Sequence, residues 1–363
     1  MRPSWAEIDI DAVCDNVQVI AEKVAPAAVC AVVKADAYGH GDVPVAEAVL
    51  EAGADLLAVA LVEEGVRLRE AGIDSKVLLL SEPPLADAAE IVRWDLTPTV
   101  YRREFVEVLA GASKRPIPVH VKVDTGMHRV GATAEDAIDL AQRIDKDPRL
   151  ALEGVWTHFS VADEDDPFTQ VQLNRYMALL DQIGSLGIDV PVRHAANTAG
   201  ALRFPDARLD MVRIGLGIYG INPAPGVVPD IGLRPVMRIV SAVSLVRRYP
   251  PGTQPSYGRR RLLEREATVA TVPIGYADGL PRLLFENGEV LIGGHRHRFA
   301  GNVTMDQILV DVGDTSVATG DEVVLIGRQG SEEITATDWA EHIGTIPYEV
   351  VCQIGPRLPR RYV

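Results

Sequence analysis

From Ala27 to about Gly217, short apolar runs alternate with stretches whose apolar positions recur at helical spacing. That alternation specifies parallel strands joined by crossover helices. The strand segments read AVCAVVK (28–34), DLLAVA (55–60), KVLLLS (76–81), LTPTV (96–100), PVHVKVD (118–124), LEGVWTHF (152–159), PVRHAA (191–196) and LDMVRIG (209–215). Eight such units are the number that closes an α/β barrel. The intervening helices end on glycines, VAEAVLEAG at Gly53 and EEGVRLREAG at Gly72, where a left-handed C-cap suits a residue without a side chain.

Beyond roughly Gly232 the pattern becomes one of alternating strands, MRIVSAVSLV, ATVATVPIGY, EVLIGG, QILVDVG and EVVLIG, separated by GG, DG and NG dipeptides. A mostly β second domain is predicted there, interrupted by one helical stretch, ATDWAEHIGT. The fold expected is therefore α/β: an N-terminal (β/α)8 TIM-type barrel over 10–231, then a C-terminal β-rich domain over 232–363. The Pro- and Gly-containing segment NPAPGVVPDIG (222–232) is the candidate linker, and the N-terminal strand over 1–9, around AEIDI (6–10), is expected to join the second domain.

A chain of 363 residues and 39.2 kDa suits one barrel plus a smaller domain. Its net charge of -15 argues against a nucleic-acid surface, which needs a basic face to neutralise phosphates. No apolar run is long enough to cross a bilayer, and the amino terminus is charged where a signal peptide is apolar, so a soluble cytoplasmic protein without a membrane partner is expected. Cys14, Cys30 and Cys352 are odd in number and far apart, which suggests neither a disulfide framework nor a metal site.

Reactive groups of barrels sit at the carboxyl ends of strands, and the polar residues of this chain fall there. Lys34 closes the most apolar strand; Lys122 and Asp124 close the fifth, His158 the sixth, His194 the seventh and Arg213 the eighth. A lysine partly removed from water at a strand end can form a Schiff base with a carbonyl cofactor. Lys34 precedes ADAYGHG, read as a loop with an exposed Tyr38. The segment RIGLGIYG (213–220) follows the last strand, where barrels bind phosphate through backbone N–H groups. Asn197 and Thr198 could donate to the same phosphate or serve as an ordinary helix cap.

With these residues in place the chain resembles the alanine racemases along nearly its whole length. The motifs VVKADAYGHG (32–41), VKVDTGMHRVG (121–131), THFSVADE (157–164), HAANTAG (194–200), RIGLGIYG (213–220), SYG (256–258), PIGYADG (273–279) and GNVTMDQ (301–307) occur in that family's order. The resemblance implies a homodimeric isomerase dependent on pyridoxal 5'-phosphate that interconverts L- and D-alanine for cell-wall peptidoglycan. It implies that Lys34 carries the cofactor as an aldimine and that Tyr38, Thr198, Asn197 and the backbone of Gly215 and Leu216 surround its phosphate. Arg213 then faces the pyridine nitrogen, and since a guanidinium keeps its proton, transamination is limited. His158 lies beside the ring and Arg129 pairs with the substrate carboxylate or the cofactor's phenolic oxygen.

Racemisation needs a base on each face, and the resemblance assigns Lys34 to D-alanine and Tyr257, from the partner subunit, to L-alanine. Met305 and Asp306 come with Tyr257, and Tyr276 narrows the mouth of the site. A phenol is a weak base unless a cation lowers its pKa, and a cationic imidazole or a guanidinium, His158 or Arg213, is the candidate helper. Lys122 stands where many relatives carry a carbamylated lysine that orients Arg129; the alternative is a bare lysine salt-bridged to Asp124. Three positions depart from the family's pattern. Pro356 replaces a tyrosine that tightens the pocket, which predicts measurable turnover of serine, while Thr304 and His128 replace a cysteine and a small residue with little expected effect. A broader serine/alanine racemase, a specialised-pathway racemase, a decarboxylase of the same architecture and a non-catalytic cofactor carrier are the alternatives. The SYG and PIGYADG tyrosines favour racemisation over decarboxylation, and the second domain speaks against the carrier.

Overall fold

The computed structural model describes residues 2–363. Among the described residues, eight parallel strands close a barrel, each overlapping a segment that the hydrophobic pattern marks, with Ile117–Lys122 and Leu150–Trp156 beginning one and two residues before theirs. Ala28–Val32 pairs with Leu56–Val59 on one side and Met211–Ile214 on the other, and Leu56–Val59 continues to Val77–Leu79. Thr99–Val100, Ile117–Lys122, Leu150–Trp156 and Val192–His194 make the other run. Two joints complete the circle. A parallel bridge joins Leu78 to Thr97, and the Arg213 N–H donates to the Ala196 carbonyl at 2.9 Å. Strands covered on both faces explain why these segments are apolar almost throughout rather than alternating.

The barrel belongs to a compact unit of residues 13–37 and 42–234. Its helices Asp42–Glu51 and Val62–Glu70 are followed by Gly53 and Gly72 at φ 102° and 88°, conformations that a side chain would strain. One glycine inside a strand has a different cause. A Cβ at Gly154 would lie 2.5 Å from the His120 ring, so the missing side chain is what lets that imidazole lie in the barrel interior.

The second compact unit is built on a sheet that, among the described residues, has ten strands. Its order is Leu245–Tyr249, Ala267–Val272, Ile308–Gly313, His295–Phe299, Glu289–Ile292, Glu322–Gln329, Met237–Ala242, Trp5–Ile8 and Arg360–Tyr362, with Glu332–Ile334 beside Glu322–Gln329. Trp5–Ile8 pairs antiparallel to Met237–Ala242 and parallel to Arg360–Tyr362, so both chain ends belong to this sheet. The expected helix is Ala336–Ile343, capped by Thr335 through the Asp338 N–H at 3.0 Å. A second short helix, Pro347–Cys352, was not marked by periodicity because it holds fewer than two turns.

The two units divide at 234/235, with residues up to Ala12 grouped with the sheet. Residues 38–41 belong with the sheet unit, whose own contacts hold them. Arg360 donates to the Gly39 carbonyl at 2.7 and 3.0 Å, and a Cβ on Gly39 would meet the Val351 carbonyl oxygen at 2.4 Å. No helix among the described residues is long and apolar enough to cross a membrane.

Candidate active site

Lys34 opens a short helical turn, Lys34–Gly39, directly after the first barrel strand. Ala35, Asp36, Ala37 and Tyr38 have φ of 54°, 54°, 50° and 54°, a left-handed turn built without glycine, at a cost of about 1–2 kcal/mol per residue. Local bonds hold it. The Ala35 N–H donates to Glu64 Oε1 at 2.6 Å, and the Asp36 carboxylate accepts the Asp42 N–H at 3.0 Å. Tyr38, read from sequence as exposed, is buried, its ring 6.0 Å from that of Tyr348. Burial raises its hydroxyl above the ordinary range, with Tyr348 and Cys352 adding to the shift, so it remains a protonated donor.

The barrel gathers Lys34, Lys122, Arg129 and Arg213 around His158. Burial holds that imidazole well below its ordinary pKa, and all four cations push the same way. His158 is therefore neutral, which corrects the expectation of a cationic imidazole there. Burial, then repulsion from Arg213, Arg129 and Lys34, brings Lys122 down to about 7 against the pull of Asp124. The Lys122–Asp124 salt bridge is not formed. Lys122 Nζ donates to the Leu80 carbonyl at 3.3 Å, whereas Asp124 accepts from the N–H groups of Gly126 and His128 at 2.9 and 3.1 Å and from the His128 ring. His128 itself sits at φ 55°, where a small residue is the easier choice.

Arg213 is buried, and its donors decide the proton positions around it. Nη1 donates to His194 Nδ1 at 2.9 Å, and Nη2 to the carbonyls of Thr157 and Ala195 at 2.8 Å and to His158 Nδ1 at 3.2 Å. A guanidinium only donates. His194 Nδ1 must therefore accept, so its Nε2 carries the proton and donates to His120 Nδ1 at 2.9 Å. His120 Nε2 in turn donates to Glu153 Oε2 at 3.2 Å, and Glu153 also pairs with Lys76. Burial depresses both imidazole pKa values, in keeping with two neutral rings. His158, by the same logic, presents Nε2–H away from Arg213. Burial lowers Arg213 to about 10, still protonated at neutral pH.

Trp156 lies in the middle of this set. Lys122 Nζ sits 4.0 Å and the Arg213 guanidinium 4.5 Å from its ring, and the His194 ring stacks on it at 5.5 Å. Asn197 accepts the Gly200 N–H at 2.9 Å, the helix-cap role, which places Thr198 at the first helical position. Thr198 Oγ1 accepts the Gly215 N–H at 3.2 Å, next to buried Leu216. His120, Glu153 and Trp156 were not among the sequence candidates. Their signal is spacing: His120 lies two residues before Lys122 and Trp156 two before His158, on the strand faces those residues mark.

In the sheet unit Tyr257, Tyr276, Met305 and Asp306 line one cavity of about 600 Å³. Its walls are tied backbone to backbone. The N–H groups of Tyr276 and Ala277 donate to the carbonyls of Thr304 and Met305 at 2.9 and 3.1 Å, an approach that leaves a Cβ on Gly275 only 2.3 Å from the Thr304 oxygen. Asn302 Nδ2 donates to the Tyr257 carbonyl at 2.6 Å, and Ser256 Oγ to the Asn302 carbonyl at 2.8 Å. Tyr257 is 76% exposed at the rim, and Arg357 holds Asp306 at 2.7 Å.

The donor chemistry of the barrel site fits a multiply charged anionic cofactor. Four cations converge there, and the nearby carboxylate of Asp124 is engaged elsewhere. A phosphate, a phenolic oxygen, a ring nitrogen and a substrate carboxylate are the complements that such donors take.

Residues 8–223 match the family model described as alanine racemase, N-terminal domain, and residues 236–362 the model for alanine racemase, C-terminal domain. The chain is similar to the alanine racemase of Symbiobacterium thermophilum, at 44% identity over 100% of this chain and 97% of that one. It is also similar to that of Halothermothrix orenii, at 42% over 99% and 97%. Among solved structures, alanine racemase from Streptomyces coelicolor superposes with a TM-score of 0.96 at 39% identity, covering 99% and 98% of the two chains. The Bacillus anthracis enzyme with bound L-Ala-P gives 0.93 at 37%, covering 100% and 95%.

Proposed function

The chain belongs to the alanine racemase family and interconverts L- and D-alanine, and from that premise we propose that Lys34 and Tyr257 are its two bases. The family uses pyridoxal phosphate, which when bound through Lys34 supplies an electron-withdrawing ring that acidifies the α-proton of the amino acid. Arg213 would donate to the ring nitrogen. Tyr38 and Thr198 with the backbone of Gly215 and Leu216 would hold the phosphate, Asn197 fixing Thr198 as a cap. Arg129 takes the substrate carboxylate, and its position depends on Lys122, whose amine near pKa 7 is a nucleophile toward carbon dioxide.

Lys34 Nζ removes the α-proton of D-alanine on one face, and Tyr257 of the partner subunit removes that of L-alanine on the other. Support for a homodimer comes from the exposure of Tyr257, Met305 and Tyr276 around an open cavity, an aromatic and apolar rim suited to a second copy. Arg213 donates to neutral His158, which leaves the His158 Nε2–H as a donor available to the Tyr257 oxygen. The observation that carries the reading is the convergence of Lys34, Lys122, Arg129 and Arg213 on one buried imidazole. Cytoplasmic supply of D-alanine to the cell wall is the role that follows.

The test is incubation of the protein saturated with pyridoxal phosphate with L- or D-alanine in heavy water. Inversion with deuterium entering Cα from both sides is expected, and Tyr257→Phe should lose the L side more than the D side. Cofactor bound at Lys34 without exchange from either enantiomer would discard the assignment.

A further inference from the structure

We infer that Trp156 is a positioning residue of the racemase site, its electron-rich ring holding the Lys122 amine and the Arg213 guanidinium together where no carboxylate does so. Lys122, Trp156 and His194 are direct partners across three adjacent strands, so Lys122 and His194 flank the indole on opposite sides. Lys122 Nζ lies 4.0 Å and the guanidinium carbon of Arg213 4.5 Å from the ring, within the range at which a cation is drawn to an aromatic face.

The ring cannot turn freely, because its Nε1–H donates to Thr99 Oγ1 at 3.1 Å and its side chain is 1% exposed. Two cations confined at this depth repel each other, and Arg129 and Lys34 add to that repulsion, while His158 and His194 are neutral and Asp124 is turned to Gly126 and His128. An aromatic face attracts a cation without accepting its proton. It therefore keeps Lys122 in place without converting it into an ion-paired ammonium, and leaves its nitrogen free to react. A carboxylate in the same position would fix the proton on Lys122 and compete with the cofactor for Arg213.

The inference rests on the proposed racemase site for its kinetic consequence alone. The test replaces Trp156 by ring-fluorinated tryptophans, which keep the shape and the bond to Thr99 while withdrawing electron density from the face, and by phenylalanine and leucine. In the holoenzyme, in buffer free of carbon dioxide, the acetylation rate of Lys122 is followed against pH by peptide mass spectrometry. The midpoint should fall with each added fluorine, by about one pH unit or less in total. Trp156→Phe should lie between wild type and the most fluorinated ring. Trp156→Leu should lower kcat for alanine roughly tenfold with KM little changed. A Lys122 midpoint indifferent to fluorination overturns the inference, whatever Trp156→Leu does to folding. A wild-type protein that titrates as expected yet never racemises alanine sinks the site assignment and leaves the role of Trp156 standing.

Discussion

Glu153→Gln replaces the last acceptor of the chain Arg213, His194, His120 by a neutral amide of the same shape. Burial pushes the Glu153 carboxyl up, but the hydrogen bonds from His120 and Lys76 and the charge of Lys76 outweigh it and bring it from 4.5 to about 2. A depressed carboxyl stabilises the fold above its unfolded pKa, and the stabilisation is lost as pH falls toward the folded value. At 1.36 kcal/mol per unit the anion is worth about 3 kcal/mol at pH 7 and about 1.4 kcal/mol at pH 3. Glutamine still accepts the His120 proton through its carbonyl, but its amide then turns a donor toward the Lys76 ammonium. The expected loss at pH 7 is about 2 kcal/mol, a fall in Tm of about 4–8 °C for a unit of this size. Scanning calorimetry of both proteins at pH 7 and pH 3 makes the comparison, and the gap should shrink by about half in acid. A gap equal at the two pH values, or wider at pH 3, would mean that Glu153 does not end the chain as an anion, and the proton positions deduced for His120 and His194 would fall with it.

Lys122, with a pKa near 7, should combine with carbon dioxide as the neutral amine, releasing a proton. Carbon-13 bicarbonate should then give a carbamate resonance that is absent from Lys122→Arg and fades below about pH 6 as the amine protonates; no resonance at pH 8 would refute it. Gly301→Ala puts a Cβ 2.7 Å from the Pro255 carbonyl and 2.8 Å from Ser256 Cβ. The displaced Tyr257 loop should lower kcat by about a hundredfold with a destabilisation of about 1–3 kcal/mol, and wild-type kcat would show that this loop does not place a base. Pro356→Tyr should lower the serine-to-alanine ratio of kcat/KM, with measurable serine turnover in the wild type. Serine turnover at background in the wild type removes the argument that Pro356 loosens the pocket.

Much of the site is legible in the sequence because a barrel strand buried on both faces has little tolerance for a charge until it ends. Lys34, Lys122, His158 and Arg213 therefore stand out as interruptions of apolar runs. The same rule hides the layer beneath them. His120 is flanked by valines and Trp156 follows Gly154 and Val155, so each reads as an ordinary interior position. Only the pairing of Ile117–Lys122 with Leu150–Trp156 and Val192–His194 sets His120 over Gly154 and Trp156 between Lys122 and His194. The neutral state of His158 is equally a product of pairing, since its four cations come from three separate segments, Lys122 and Arg129 sharing one. The turn after Lys34 escapes sequence reading for a further reason. A left-handed run is expected of glycine, and Ala35, Asp36, Ala37 and Tyr38 adopt it where bonds to Glu64 and Asp42 hold the turn. Such strain persists only where the surroundings over-determine it. Lys34 is thus set by constraint on both sides, the rigid strand before it and the held turn after it, which is what a base confined to one face of a planar substrate complex requires.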